Sequence, residues 1–105
     1  MSRRTLTMRE VLISSSVSNK IDDLKDYLIF ELKLSEEAAM RRIDRISDFL
    51  TSLHVSVDYP LCRFRKWRLL GYRCAVFEKR WVFAYELFED GIIVKDMFHV
   101  SLLVE

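Results

Sequence analysis

Apolar residues recur at the spacing of a helix in the first half of the chain and at the spacing of a strand in the second half. Between Ser18 and about Lys33, apolar residues recur at intervals of three and four positions, which is typical of an amphipathic helix. They are Ile21, Leu24, Tyr27, Leu28 and Leu32. Aspartates near the start of this segment favour the positive end of a helix dipole. The pattern predicts a first helix, for which the preceding polar cluster, SSSVSN, supplies an N-cap.

A second apolar stripe of the same spacing follows Ser35, whose hydroxyl is suited to capping a helix N-terminus. Its members are Ala39, Met40, Ile43, Ile46, Phe49, Leu50 and Leu53. Charged residues line the other side of this helix: Arg41, Arg42, Asp44, Arg45 and Asp48. Because only a short segment separates the two stripes, we expect the two helices to form an antiparallel hairpin.

Strand-like segments flank the helical pair. A short mixed run from Arg9 to Ser14 predicts an opening strand. After an irregular crossing loop from Leu53 to Leu61, dense β-branched and aromatic residues predict further strands. Their expected ranges are Arg68 to Phe77, Trp81 to Phe88 and Ile92 to His99. Between the last two, Glu89 to Gly91 is a tight hairpin signal, since Asp-Gly supplies the positive φ angles that such turns require.

The order of elements predicts an α+β fold, β-α-α-β-β-β, with the helical hairpin packed on one face of a twisted, mostly antiparallel sheet. Alternation along the strand from Trp81 to Phe88 places apolar residues on both of its faces. The hairpin covers one face, so chain termini, a partner or an open groove must account for the other. The apolar tail, Ser101 to Glu105, is one candidate cover.

Composition indicates one compact domain over residues 1–105. Hydrophobic residues make up 50% of the chain, which has only 2 Gly and 1 Pro. No apolar run approaches the roughly 20 residues that span a bilayer, and the first residues lack the apolar core of a signal peptide. We therefore expect a soluble, cytoplasmic protein that has no membrane partner.

The cysteines and histidines show no recognisable chemical motif. The spacing of Cys62 and Cys74 matches neither a CxxC motif nor a common zinc pattern. His54 and His99 have no ligand spacing with the cysteines or with each other. We therefore predict structural thiols in a reducing compartment, and neither a metal nor another cofactor. The sequence also has no nucleophile elbow, Cys-His signature or glycine-rich phosphate loop.

Charge is distributed unevenly although the net charge is only +1. The cations between residues 60 and 80 are Arg63, Arg65, Lys66, Arg68, Arg73, Lys79 and Arg80, against the single Glu78. Three interpretations stay open: a solvated strand edge, a surface for an acidic protein, or a site where arginines bind phosphate and aromatics stack on bases. His99, at the end of the last strand, is either a structural hydrogen-bonding residue or an acid-base group.

An ordered set of features in the second half of the chain has a counterpart in a known family. The features are an arginine-rich strand, Arg63 to Arg68, a strand with Tyr72-Arg73, a strand with Tyr85, the turn Glu89 to Gly91, and the strand from Ile92 to His99. This combination resembles the RelE/ParE superfamily of toxins from bacterial type II toxin-antitoxin systems. With the opening strand and first helix included, the resemblance covers roughly residues 9 to 100.

The resemblance implies a growth-inhibiting toxin that a cognate antitoxin protein neutralises. One branch of the family is an mRNA interferase that cleaves messenger RNA at the ribosome without a metal, and another inhibits DNA gyrase without cleavage chemistry. Carried onto this chain, the catalytic candidates are His99 and Arg73. The candidates for nucleic-acid or antitoxin binding are Arg63, Arg65, Lys66, Arg68 and Arg80.

Two further expectations follow from this comparison. Ribonuclease members usually carry a cation on the third strand, where this chain has Trp81 to Tyr85 without one. We therefore favour the non-cleaving branch. The alternative is a non-catalytic protein-interaction module on the same fold, whose basic strip docks an acidic partner.

Overall fold

One mixed sheet and three helices make up the described part of the chain, residues 10–54 and 58–100 of a computed structural model. The elements are β1 (Glu10–Ile13), α1 (Ser15–Phe30), α2 (Glu36–Ser52), α3 (Arg65–Leu69), β2 (Arg73–Phe77), β3 (Trp81–Phe88) and β4 (Gly91–His99). The predicted α+β order is confirmed, with the short α3 as an addition before β2. Arg9, predicted to open the first strand, and the tail 101–105 lie outside the described residues.

Both long helices begin where a serine caps the first turn. The Ser14 hydroxyl accepts a hydrogen bond from the Val17 N–H at 3.2 Å, so α1 begins before the predicted Ser18. Ser35 caps α2 as predicted, accepting from the Ala38 N–H at 3.1 Å. Helix α1 ends at Phe30, and Lys33 has a φ of 61°, which a right-handed helix cannot contain.

The sheet has the strand order β1-β4-β3-β2. Strand β3 pairs antiparallel with both β2 and β4, whereas β1 pairs parallel with β4, from Glu10 opposite Gly91 to Ile13 opposite Val94. Gly91 is required here, because a Cβ at this position would overlap the Glu10 carbonyl oxygen. Of the strands that the structure describes, the first in sequence is therefore held against the last.

The predicted hairpin between β3 and β4 is present, but the predicted reason for its glycine is wrong. Phe88 pairs with Gly91 across the turn, and Gly91 does not have a positive φ. Positive φ angles occur instead in the β2–β3 turn, at Glu78 (54°) and Lys79 (59°). The glycine thus serves the close approach of β1 and not the geometry of the turn.

The two faces of β3 belong to different cores, as its alternating pattern predicts. Phe83 and Tyr85 are buried against residues of the helical hairpin, including Val17, Ile46 and Leu50. On the other face, Val82 and Ala84 pack in a smaller cluster with Cys62 and Trp67. Among the described residues, the cover of this second face is α3 and its flanking residues, which the predicted choices of termini, partner or groove did not include. None of the helices within the described ranges is long and apolar enough to cross a membrane.

Candidate functional site

The basic segment forms a folded loop, defined here as the basic loop, residues 62–74. Helix α3 occupies its first half, and Trp67 points inward with only 2% of its surface exposed. The chain then reverses at Gly71, whose φ of 80° suits glycine, while the Tyr72 N–H donates to the Trp67 carbonyl at 3.0 Å. This compact path brings Tyr72 back beside Cys62, whose N–H donates to the Tyr72 carbonyl at 2.9 Å.

The prediction of a strand from Arg68 to Phe77 is therefore wrong in its first half. Arg68 lies in α3, and strand β2 begins at Arg73. The helical turn buries Trp67 against Phe98, with ring centroids 5.6 Å apart. An extended segment would not place Trp67 in this contact. Burial of this large ring outweighs the β propensity of the segment.

Cys62 and Cys74 form a disulfide that closes the basic loop, with Cα atoms 4.8 Å apart. The prediction of separate structural thiols is wrong. An antiparallel bridge between Leu61 and Arg73 brings the cysteines side by side, and linear spacing alone does not reveal such a pairing. Cys62 is buried, whereas Cys74 is partly exposed.

Four of the predicted binding cations lie on the outer surface of the basic loop. Their exposed side chains are Arg63, Arg65, Lys66 and Arg68. Within the described ranges, none of these four forms an ion pair with a carboxylate. Arg68 donates to the Arg63 carbonyl at 3.2 Å, and the Lys66 ammonium lies 5.9 Å from the Phe98 ring centroid. The loop therefore presents uncompensated positive charge to a ligand.

Arg73, a predicted catalytic residue, has a structural contact. It lies opposite Tyr85 at the start of β2, and its guanidinium donates to the Tyr59 carbonyl at 2.6 Å. The Tyr59 N–H in turn donates to the Tyr85 hydroxyl at 2.9 Å. Arg73 thus fastens the crossing segment to the end of the sheet.

His99, the other predicted catalytic residue, lies at the opposite end of β3. It pairs with Trp81, and the two rings meet edge to face with centroids 5.1 Å apart. Because Trp81 and Tyr85 are four positions apart, His99 and Arg73 are separated by about 13 Å along the strands and by about 10 Å across them. The structure does not bring this pair together.

His99 is instead near other cations, in a cleft of about 440 Å³ between the helical hairpin and the β2–β3 turn. We call this the histidine cleft; its polar lining residues are Tyr27, Arg42, Arg45, Glu78, Arg80 and His99. Of the predicted binding residues, Arg80 alone lies in this lining. Arg42 and Arg45 were predicted only as the outer side of α2, because helical periodicity does not show which residues border a cleft.

One of these cations already has a carboxylate partner. Arg45 contacts Glu78 through two of its nitrogens, with Nη2 2.9 Å from Oε1 and Nε 3.2 Å from Oε2. A neighbouring cleft of about 620 Å³ has mainly apolar walls, including Trp81, Met97 and Phe98, and also contains Lys20 and His99. His99 therefore lies between an arginine-rich space and an apolar one.

The arrangement can bind anions in two separate places. Cleavage of RNA by its 2′-hydroxyl requires a base, an acid and cations around the same phosphate. The histidine cleft contains an imidazole and arginines, whereas the basic loop packs on the opposite face of β3 and approaches the neighbouring apolar cleft only through Lys66, 5.9 Å from the Phe98 ring centroid. The loop cations can therefore attract a charged partner without taking part in chemistry at His99.

Comparison with models of known protein families gives no match, and a search of curated proteins gives none either. Any assignment of function consequently depends on the fold and on the side chains described above.

Proposed function

We propose that this protein is the toxin of a type II toxin-antitoxin module, related to the RelE/ParE superfamily, and that it inhibits growth until a cognate antitoxin binds it. The observation that supports this most is the arrangement of the β-α-α-β-β-β sheet. An arginine-rich segment leads into β2, and β4 ends at His99 beside Trp81. The family resemblance depends on this order of features, although the segment that it implies to be an arginine-rich strand contains the helix Arg65–Leu69.

Within this proposal, the branch without cleavage chemistry remains favoured. Arg73 is engaged by Tyr59, and no cation is on β3 between Trp81 and Phe88. The histidine cleft supports the ribonuclease branch as the second candidate, because Arg80 and His99 line the same space. Gyrase is the target in the first case, and messenger RNA on the ribosome in the second.

Both branches place the protein in the cytoplasm, where glutathione keeps most thiols reduced. The Cys62–Cys74 bond then depends on redox conditions in the cell, and its state has to be measured together with activity.

The basic loop also supports a different class of function, a protein-interaction module without toxicity. Its cations point outward and its large aromatic ring, Trp67, points inward. This is the composition of a charged docking surface, and the module needs no role for His99.

Controlled expression in a bacterium tests these possibilities. Induction of the wild-type chain should arrest growth while soluble protein accumulates, and coexpression of the product of an abutting open reading frame should restore growth. Absence of arrest, with soluble protein confirmed, contradicts the toxin proposal and favours the interaction module.

Substitutions of His99 and Arg80, with one of His54 as a control, distinguish a gyrase inhibitor from a ribonuclease. If the protein inhibits gyrase, His99→Ala retains arrest, and linearised or relaxed plasmid accumulates. If it is a ribonuclease, His99→Ala and Arg80→Ala abolish arrest, and new messenger RNA ends disappear with it. His54→Ala is the matched control, since His54 lies at the end of α2, where its Nδ1 contacts the Thr51 carbonyl.

A further inference from the structure

The surface of the basic loop is unusual because leucines are exposed among its cations. Leu69 and Leu70, at the C-terminal end of α3, have 75% and 57% of their surface exposed. Leu61, next to Cys62, is 50% exposed. Single exposed leucines are common, but three of them in or beside one loop are typical of an interaction site.

All charged residues in and beside the basic loop are positive. No Asp or Glu occurs between Pro60 and Phe77, and the exposed cations Arg65, Lys66 and Arg68 belong to the same short helix as Leu69. A ligand for this surface must therefore carry negative charge and apolar groups together, and close to one another.

The aromatic side chains of the loop argue against a single-stranded nucleic acid as that ligand. Proteins bind unpaired bases by stacking them on exposed aromatic rings. Here Trp67 is buried, stacks on Phe98 at 5.6 Å and meets Phe64 edge to face at 5.9 Å, and Phe64 and Tyr72 are only partly exposed. Leucine offers a base no comparable surface, so the exposed apolar groups are suited to a protein.

In the oxidised protein, the backbone of the loop is also held in one conformation before any ligand arrives. The Cys62–Cys74 disulfide closes it, and the Cys74 N–H donates to the Pro60 carbonyl at 3.3 Å. Helix α3 is too short to be stable alone, so the disulfide and the buried Trp67 keep its backbone in place. A preformed surface loses little conformational entropy on binding.

We propose that the basic loop docks an acidic, amphipathic segment of a partner protein. Apolar side chains of the segment pack on Leu69 and Leu70, and its carboxylates pair with Arg65, Lys66 and Arg68. The inference rests on the proposed function only in naming the antitoxin as the source of the segment. The docking chemistry itself comes from this surface.

A synthetic helical peptide with leucines on one face and glutamates beside them tests the docking chemistry directly. Its affinity for the purified oxidised protein is measured by fluorescence anisotropy, with a peptide of the same charge but serine for leucine as the comparison. The leucine peptide should bind at least about tenfold more tightly, because it alone buries Leu69 and Leu70.

Variants of the protein then locate the site. L69S/L70S and R65E/K66E/R68E should each weaken binding of the leucine peptide by about tenfold or more. The matched controls are L32S/M40S and K33E/R41E/K79E, which remove exposed apolar groups or reverse three exposed cations elsewhere. The controls should change the affinity less than about twofold.

Three results would overturn the inference: no binding of the leucine peptide, equal binding of both peptides, or equal effects of loop and control variants. Competition by oligo(dT) or oligo(U) at lower concentration than the peptide would assign the surface to nucleic acid instead. Peptide binding without growth arrest would refute the toxin proposal and leave the docking surface standing. Growth arrest without peptide binding would refute the docking surface and leave the toxin proposal standing.

Discussion

Lys20 and Asp96 form an ion pair, Nζ to Oδ1 at 2.7 Å, along the part of β4 that β1 does not reach. The Met97 N–H donates to the Asp96 carboxylate at 2.9 Å, and the Met97 carbonyl accepts from Lys20 at 3.3 Å. These backbone groups would otherwise be available to another strand. The ion pair therefore closes an open edge of the sheet.

Removing this pair should create a pairing site for a second molecule. We expect K20A/D96A to self-associate as its concentration rises and to lose about 1 kcal/mol of unfolding free energy, since both side chains are partly exposed. Sedimentation velocity and urea unfolding measure these effects. E86A/K95A is the matched control, because it removes the Glu86–Lys95 contact between β3 and β4 at 3.9 Å. A K20A/D96A variant that stays monomeric would show that another feature protects the edge.

Reduction of the Cys62–Cys74 disulfide should loosen the basic loop and leave the helical hairpin intact. A closed loop of this size contributes about 2–3 kcal/mol by restricting the unfolded chain. We expect C62S/C74S and the reduced wild type to unfold at lower urea concentration, with faster amide exchange from Trp67 to Tyr72. Exchange rates in α1 and α2 serve as the internal control. An unchanged unfolding midpoint in both forms would contradict this account.

The two glycines should differ in their tolerance of a methyl group. At Gly91 the added Cβ meets the backbone of Glu10, so G91A must displace β1, and we expect a loss of more than about 3 kcal/mol. At Gly71 the space is open, and G71A costs only the strain of a positive φ, about 1–2 kcal/mol. Chemical denaturation of both variants gives the comparison. Similar losses would mean that β1 moves freely away from β4.

Substitutions of Arg73 and of His99 should each lower the free energy of unfolding. Arg73→Ala leaves the Tyr59 carbonyl without its charged donor, so we expect a loss of about 1.5–3 kcal/mol. His99→Ala removes the edge contact of its ring with Trp81, which is worth about 1 kcal/mol. Urea unfolding measures both values. If Arg73→Ala were neutral, its hydrogen bond to Tyr59 would not be structural, and a direct role in function would become the better explanation.

Local signals in the sequence were sufficient for most of the scaffold. Ser35 caps α2 as its position predicts, and β3 runs from Trp81 to Phe88 as the alternating pattern predicts. Both depend on neighbours a few residues apart, for which periodicity is informative. The parallel pairing of β1 with β4 is a contact between distant parts of the chain, and no local pattern identifies the partner strand.

The basic loop was harder to predict, for physical reasons. The sequence from Arg63 to Arg68 is compatible with an extended strand and with a helical turn. The helical turn is favoured by packing of Trp67 against Phe98, a contact that local sequence does not reveal. The pairing of Cys62 with Cys74 follows from that fold. Similarly, Arg42 and Arg45 were recognised as a polar side of α2, but not as neighbours of His99.

The contact between β1 and β4 also governs when the protein can finish folding. Ser14 donates to the Lys95 carbonyl, 81 positions further along the chain. During synthesis, α1 and α2 leave the ribosome long before Ile92 and Val94 exist to complete their core. A chain that ends before Gly91 lacks Ile92 and Val94, so the apolar residues of α1 and α2 that pack on them lose that cover. The hydrophobic core is therefore completed only by contacts between distant parts of the chain, which form late in folding.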